Sequence, residues 1–254
     1  VIFEHGIVRR PGPEMIYGLT SGSMGRPDFK KALSQHDDYI EALRSCGLKV
    51  IVVEHDSRYP DGMFVEDTAV LTNNFAVITN PGASTRRGEE KEIGAILKRF
   101  YKDIKKITTP ATLDGGDVMR AGDHLYVGLS ARTNQEGAAQ LISIAGEYGY
   151  SGSTIEIREA LHLKSGVSYI ENNTLITAGE FIERSEFSGF RKITVDDDEA
   201  YAANSIWING SVLVPAGFPE TKSKIESEGY RVLEIDVSEF RKLDGGLSCL
   251  SLRF

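Results

Sequence analysis

Apolar positions in this chain come in short runs paired across two polar residues, the pattern of a β-hairpin. It appears in Thr68–Thr79 around Asn73–Asn74, and in Val118–Gly128 around Gly122–Asp123. It returns in Val167–Ala178 around Asn172–Asn173, and in Ser205–Pro215 around Asn209–Gly210. The turns fall roughly 40 to 50 residues apart, the spacing of a repeat array. An ordinary α/β protein with similar hairpins would show the same period, so the spacing alone leaves both readings open.

Between the hairpins the period changes to three and four. Glu89–Tyr101, Asn134–Gly149 and Thr221–Gly229 read as amphipathic helices, with Asn134 as an N-cap. Asp28–Gly47 reads as a helix and Lys49–Glu54 as the strand that follows it. Each unit thus reads as hairpin, helix, strand. A fifth hairpin exists only if the chain ends meet, Gly246–Phe254 against Ile2–Arg10, closing a five-unit ring. The expected fold is one α/β domain over residues 1–254, with turn residues converging on a pseudo-fivefold axis. The apolar front Val1–Val8 reads as a strand rather than a signal peptide, because it lacks a basic leader and a small-residue cleavage site. Met15–Pro27, with Gly18, Gly22 and Gly25, reads as a mobile loop.

One tetrapeptide favours the repeat reading. Leu113-Asp114-Gly115-Gly116 recurs as Leu243-Asp244-Gly245-Gly246, which places Asp114 and the nearby Cys249 in related parts of two units. Cys249 follows the second copy inside an apolar run, Leu247-Ser-Cys-Leu-Ser-Leu252, that reads as a strand.

Composition narrows the setting. The chain has 254 residues, 41% of them hydrophobic, enough for a substantial core. Its two cysteines, Cys46 and Cys249, form no disulfide framework, which points to a reducing cytosol and two free thiols. No apolar run reaches the roughly 18–20 residues of a membrane span. A formal net charge of −8 disfavours nucleic acid and acidic membranes, and it suits a cationic small molecule without selecting one.

A lone cysteine is more often a packed core thiol than a nucleophile. Cys46, at a helix end, takes that reading; Cys249, after a double glycine in a central turn, is the candidate nucleophile. His162, in Leu161-His-Leu-Lys-Ser-Gly166, stands at the mouth of the third hairpin as its candidate base. No histidine pair has metal-ligand spacing, so side chains alone would carry the chemistry. Glu66 and Asp67 open the first hairpin; if they share a cavity with Asp114, those carboxylates are costly without a cation, and a guanidinium fits paired carboxylates. Arg86 and Arg132, at matching places after two hairpins, could hold an amino-acid carboxylate.

Taken together, Phe64-Val-Glu-Asp67, Pro81-Gly82 with Arg86-Arg-Gly-Glu89, Ala131-Arg-Thr-Asn134, Leu161-His-Leu-Lys164 and Gly245–Phe254 resemble the guanidine-modifying superfamily of five-bladed α/β propellers. The similarity is greatest to its short bacterial dimethylarginine dimethylaminohydrolases. The resemblance implies Cys249 as nucleophile, His162 as proton donor and acceptor, and Asp114 as the acid completing the set. It implies Glu66 and Asp67 around the guanidinium, Arg86 and Arg132 at the α-carboxylate, and Asp61 with the Leu19 backbone at the amino end. Leu243 would offer a backbone contact near the reacting carbon. Bacterial relatives carry glutamate where this chain has Asp114, which shortens the reach by one methylene.

The resemblance further implies hydrolysis of methylated arginines to citrulline through a covalent thiouronium, without metal or organic cofactor, in a cytoplasmic homodimer. Deimination of free arginine, amidino transfer and a non-catalytic arginine-binding scaffold are the alternatives.

Overall fold

Each hairpin forms where its turn residues place it. The computed structural model describes residues 2–254, so Val1 of the expected N-terminal strand lies outside the described residues. In chain order, β1 (His5–Arg9), α1 (Phe29–Ser45) and β2 (Lys49–Val53) come first, then β3 (Ala69–Leu71), β4 (Ala76–Ile78), α2 (Glu90–Leu97) and β5 (Ile104–Lys106). β6 (Val118–Ala121), β7 (His124–Leu129), α3 (Gln135–Gly146) and β8 (Ser151–Glu156) follow, then α4 (Leu163–Gly166), β9 (Val167–Tyr169), β10 (Thr174–Thr177) and β11 (Arg191–Thr194). β12 (Ile206–Ile208), β13 (Ser211–Pro215), α5 (Pro219–Ser227), β14 (Arg231–Ile235), α6 (Ser238–Arg241) and β15 (Leu252–Arg253) complete the chain.

The strands form three-stranded mixed sheets: β15-β1-β2, β3-β4-β5, β6-β7-β8, β9-β10-β11 and β12-β13-β14. In each, the middle strand pairs antiparallel with the first and parallel with the third, for example Val70 opposite Val77 and Val77 opposite Lys105. The chain ends do meet, with Gly6 opposite Arg253 and Ile7 opposite Leu252. The expectation of a five-bladed propeller is nevertheless corrected. The structure is an α/β fold of five separate sheets, none closed into a barrel or strongly curled. Strands of two to six residues, three to a sheet, accumulate too little twist to curl.

Side-chain packing links the sheets, with one backbone bridge, Asn80 opposite Leu113, between the segments that follow β4 and precede β6. Ile7, Ile78 and Leu252 share one buried cluster; Val77, Leu125 and Leu141 share another. Met119, Leu163 and Leu175 join the third sheet to the fourth, and Ile176, Ile193 and Val214 join the fourth to the fifth. Tyr39 and Leu43 of α1 meet Leu213 and Phe240, tying the fifth sheet back to the first. Local capping starts two of the helices as their sequences suggest: Asp28 accepts from the Lys31 N–H, and Asn134 from the Gly137 N–H.

Three local expectations change. Between β10 and β11 the expected helix is replaced by 3-10 turns, Gly179–Phe181 and Ser185–Phe187, anchored by buried Phe181 and Phe187. Cys249 stands in a 3-10 turn, Ser248–Leu250, rather than in a strand. There the Leu247 carbonyl accepts from the Tyr39 hydroxyl (2.9 Å) and the Ser248 N–H donates to Asn204 Oδ1 (2.9 Å), which uses the groups a ladder would need. Met15, expected in the mobile loop, is fully buried in the turn Pro13–Tyr17, and the open segment begins at Gly18.

Candidate active site

A short helical turn precedes the first strand of each sheet, and these turns carry the polar residues. Val65–Thr68 holds Glu66 and Asp67, and Gly115–Asp117 follows Asp114. α4 follows His162, Asp197–Ala203 leads to Asn204, and Ser248–Leu250 holds Cys249. The turns pack on one another, so residues far apart in sequence converge.

His162 is buried between carboxylates. Its Nδ1 lies 3.2 Å from Asp117 Oδ2, close enough for ion pairing but out of line for a hydrogen bond. Its Nε2 is 4.0 Å from Asp114 Oδ2. Burial alone would lower the imidazolium, but the charges of Asp117, Asp67 and Asp114 outweigh it and hold it at about 9. Asp114 is fully buried; its Oδ1 accepts from the Gly82 N–H (2.9 Å), while its Oδ2 has no hydrogen-bond partner. Burial, then the neighbouring Asp67 charge, pushes the Asp114 carboxyl up to about 7.

Asp67 accepts from the Gly116 N–H (2.9 Å) and pairs with Arg86 (2.6 Å). Burial works against its ionisation, yet the Arg86 and His162 charges prevail and hold its carboxyl at about 2. Arg86 is itself gripped, donating to Glu89 through Nε and a terminal nitrogen (2.7 Å) and to the Phe64 carbonyl (2.9 Å). Arg132 reaches 3.9 Å from Asp114.

Cys249 is half-buried, its Sγ accepting from the Gly246 N–H at 3.4 Å. Burial in this water-poor corner, then the charges of Glu66 and Asp67, push the thiol up to about 12. A cavity of about 230 Å³ is lined by Cys249, His162, Asp67, Arg86, Arg132, Asp61, Leu19 and Leu243, together with Asp244. Eight of the ten residues singled out in the sequence therefore share one space, with Asp114 on the Nε2 side of the imidazole but not on the cavity lining. Asp61 accepts from the Leu19 N–H at 2.9 Å, and burial raises its carboxyl above the usual range.

Glu66 is the exception. It faces a different cavity, where its carboxylate meets Lys164 (2.6 Å), Ser248 Oγ (2.7 Å) and Arg253 (3.2 Å). Its link to the thiol runs through Ser248, whose Oγ lies 4.0 Å from Sγ.

Asp67, Asp114 and His162 each bring one donor atom within 4.8 Å of the others. Both Asp67 oxygens are already engaged, by the Gly116 N–H and Arg86, which leaves fewer open donors than a zinc site takes. Carboxylates, an imidazole and a thiol around one small space suit covalent chemistry on a planar cation better than metal binding.

Comparison with known proteins is consistent with this geometry. Residues 27–187 match the family described as "N,N dimethylarginine dimethylhydrolase, eukaryotic". The dimethylarginine dimethylaminohydrolase of Pseudomonas aeruginosa is 48% identical over 254 residues, the whole of both chains. The chain belongs to the dimethylarginine dimethylaminohydrolase family. A second relative of that name, from Streptomyces coelicolor, is 35% identical and covers 98% of this chain and 96% of its own. Among solved structures, the Pseudomonas aeruginosa enzyme in a cysteine-to-serine mutant complexed with citrulline superposes with a TM-score of 0.99 at 48% identity over both full chains.

Within this family framework, sequence reasoning missed Asp117, Glu89 and Asp244. Asp117 was legible as the second acid of Asp114-Gly-Gly-Asp117, but the duplicated tetrapeptide ends one residue short of it. Glu89 stood in the Arg86-Arg-Gly-Glu89 segment that carries the resemblance, but nothing in the sequence gave it a role beside Arg86. Among the described residues no helix is long and apolar enough to cross a membrane.

Proposed function

We propose that this chain is a cysteine-dependent hydrolase that converts asymmetric dimethylarginine and monomethylarginine to citrulline and the corresponding methylamine. The observation that carries the reading is the shared cavity of Cys249 and His162, flanked by Asp67, Arg86 and Arg132, in a chain 48% identical to the Pseudomonas aeruginosa enzyme. In this reading Asp67 lies beside the guanidinium, and Asp114 supports the imidazolium. Glu66 acts on the thiol through Ser248. Arg132 meets the α-carboxylate, with Arg86 contributing charge while it stays bonded to Asp67 and Glu89. Asp61, with the Leu19 and Leu243 backbone, receives the amino end.

The bound cation offsets the carboxylate field that opposes thiolate formation, and the thiol gives up its proton to solvent, since His162 is already protonated. The Cys249 thiolate attacks the guanidinium carbon, and the C–N bond to the methylated nitrogen breaks as His162, held protonated, gives that amine its proton. The neutral imidazole then takes a proton from water, whose oxygen attacks the thiouronium carbon. Loss of the C–S bond yields citrulline and returns the thiol.

A single domain over 1–254 is part of the same proposal, and the free thiols Cys46 and Cys249 fit a reducing cytoplasm. The homodimer belongs to the same proposal, and sedimentation tests it. The decisive assay incubates the purified chain with asymmetric dimethylarginine, monomethylarginine and arginine separately, measuring citrulline and amine. Citrulline from the methylated substrates is the expected result, lost in Cys249→Ser while ligand binding persists. No citrulline from any of the three overturns the reading.

A further inference from the structure

Two carboxylates leave the same helical turn and reach His162 from opposite sides. Asp117 donates its own N–H to the Asp114 carbonyl at 3.0 Å, so the spacing of the two acids is fixed by one turn of backbone. Their surroundings differ. Asp117 is fully buried and its Oδ2 accepts from Ser130 Oγ and Thr133 Oγ1, each at 2.7 Å. Its Oδ1 accepts from the N–H of Leu163, the residue after His162, at 3.1 Å. One carboxylate therefore grips the backbone next to the histidine and stands 3.2 Å from its ring at Nδ1. Asp114 stays 4.0 Å from Nε2, beyond hydrogen-bond reach.

We infer that Asp117 is a positioning residue for His162, keeping a proton on Nδ1 and turning Nε2 toward the reacting atoms. A carboxylate at one imidazole nitrogen fixes the tautomer and ring orientation and stabilises the imidazolium. The Ser130 and Thr133 hydroxyls hold the carboxylate in place, and they come from the loop that also carries Arg132. Closure around a ligand would bring the off-line Nδ1 contact into a hydrogen bond, as free-enzyme geometries commonly tighten on binding. This inference rests on the hydrolase reading for its kinetic consequence, not for its geometry.

The test compares wild type, Asp117→Asn, Asp114→Asn and Thr133→Val by steady-state kinetics and by nitrogen NMR of labelled histidine. The charged groups around the ring are Asp117, Asp67 and Asp114, with Arg86 and Arg132 behind the last two; Asp117→Asn and Asp114→Asn each remove one of these charges, and Thr133→Val removes none. Asp117→Asn should lower kcat by about 10²–10⁴-fold with KM within about threefold. It should also move the His162 titration to lower pH and abolish the Nδ1-protonated signature, which Asp114→Asn should retain. Thr133→Val keeps the carboxylate and should give an intermediate shift, so it decides the matter if Asp117→Asn does not fold. An unmoved His162 titration and an unchanged Nδ1 proton in the folded variant overturn the inference. If the wild type forms no citrulline, the function fails, while the NMR arm still judges the positioning role.

Discussion

Ser21 is fastened to Asp244 from across the chain, its N–H donating to Asp244 Oδ2 at 2.6 Å and its hydroxyl at 3.0 Å. Both residues line the cavity of Cys249 and His162, so a loop near the start of the chain is pinned at the mouth by a turn near its end. Asp61 holds the same loop at the Leu19 N–H. Asp244→Ala should free the loop, raising KM about tenfold while leaving the melting temperature nearly unchanged, since these bonds are exposed. Hydrogen exchange across residues 18–27, read with the kinetics, checks it; unmoved exchange and KM would sink the idea.

His36 sits in the core of α1, facing Phe240, with neither ring nitrogen hydrogen-bonded. Burial, then the Arg10 charge, pushes its imidazole down to about 4. A depressed histidine binds fewer protons folded than unfolded, so its contribution is complete above about 6.5 and is lost as pH falls through about 4. The loss is about 3 kcal/mol. His36→Leu should flatten that acid limb in urea unfolding measured between neutral pH and the acid range; a parallel decline in both proteins would refute it.

Arg86 depends on Glu89, a buried carboxylate that engages it through two nitrogens. Glu89→Leu leaves the buried guanidinium with Asp67 and backbone carbonyls alone and should cost about 3 kcal/mol. Substrate affinity should fall as well, because the freed Arg86 would no longer be aimed at Asp67. Urea unfolding tells the outcome, and a cost below about 1 kcal/mol would show that Asp67 and the Phe64 carbonyl suffice.

The Cys249 thiol is pushed up to about 12 by burial and by Glu66 and Asp67. Without ligand it should remain protonated at neutral pH, with thiolate absorbance, taken against Cys249→Ser, rising only in strongly alkaline solution. An unreactive amidinium ligand filling the cavity should bring the absorbance to lower pH. A free enzyme already ionised at neutral pH defeats substrate-assisted activation.

The hairpins were legible because alternation and turn chemistry act within a few residues: Asn209 and Gly210 both take positive φ between β12 and β13, as such a turn requires. The missing fourth-unit helix was not legible, because Phe181 and Phe187 are drawn into the core by neighbours outside the segment. Cys249 and His162 could be named from residue type and setting, whereas Glu66 could not be seen to face away, since Lys164 and Arg253 come from other units.

By itself the sequence determined the strand pairs, the main helices, the meeting of the chain ends and the residue types gathered for chemistry, all of which follow from local periodicity and composition. Only the tertiary structure decided how identical letters are used. Leu-Asp-Gly-Gly places Asp114 at φ −105° and Asp244 at φ +59°. At the first copy the Gly115 backbone presses against the Glu66 carbonyl, where a Cβ would stand 2.0 Å from its oxygen. At the second, the turn follows α6 and its aspartate reaches out to Ser21. The same tetrapeptide thus supplies a buried acid in one place and a loop anchor in the other, because backbone conformation here is set by which neighbours the rest of the fold brings near.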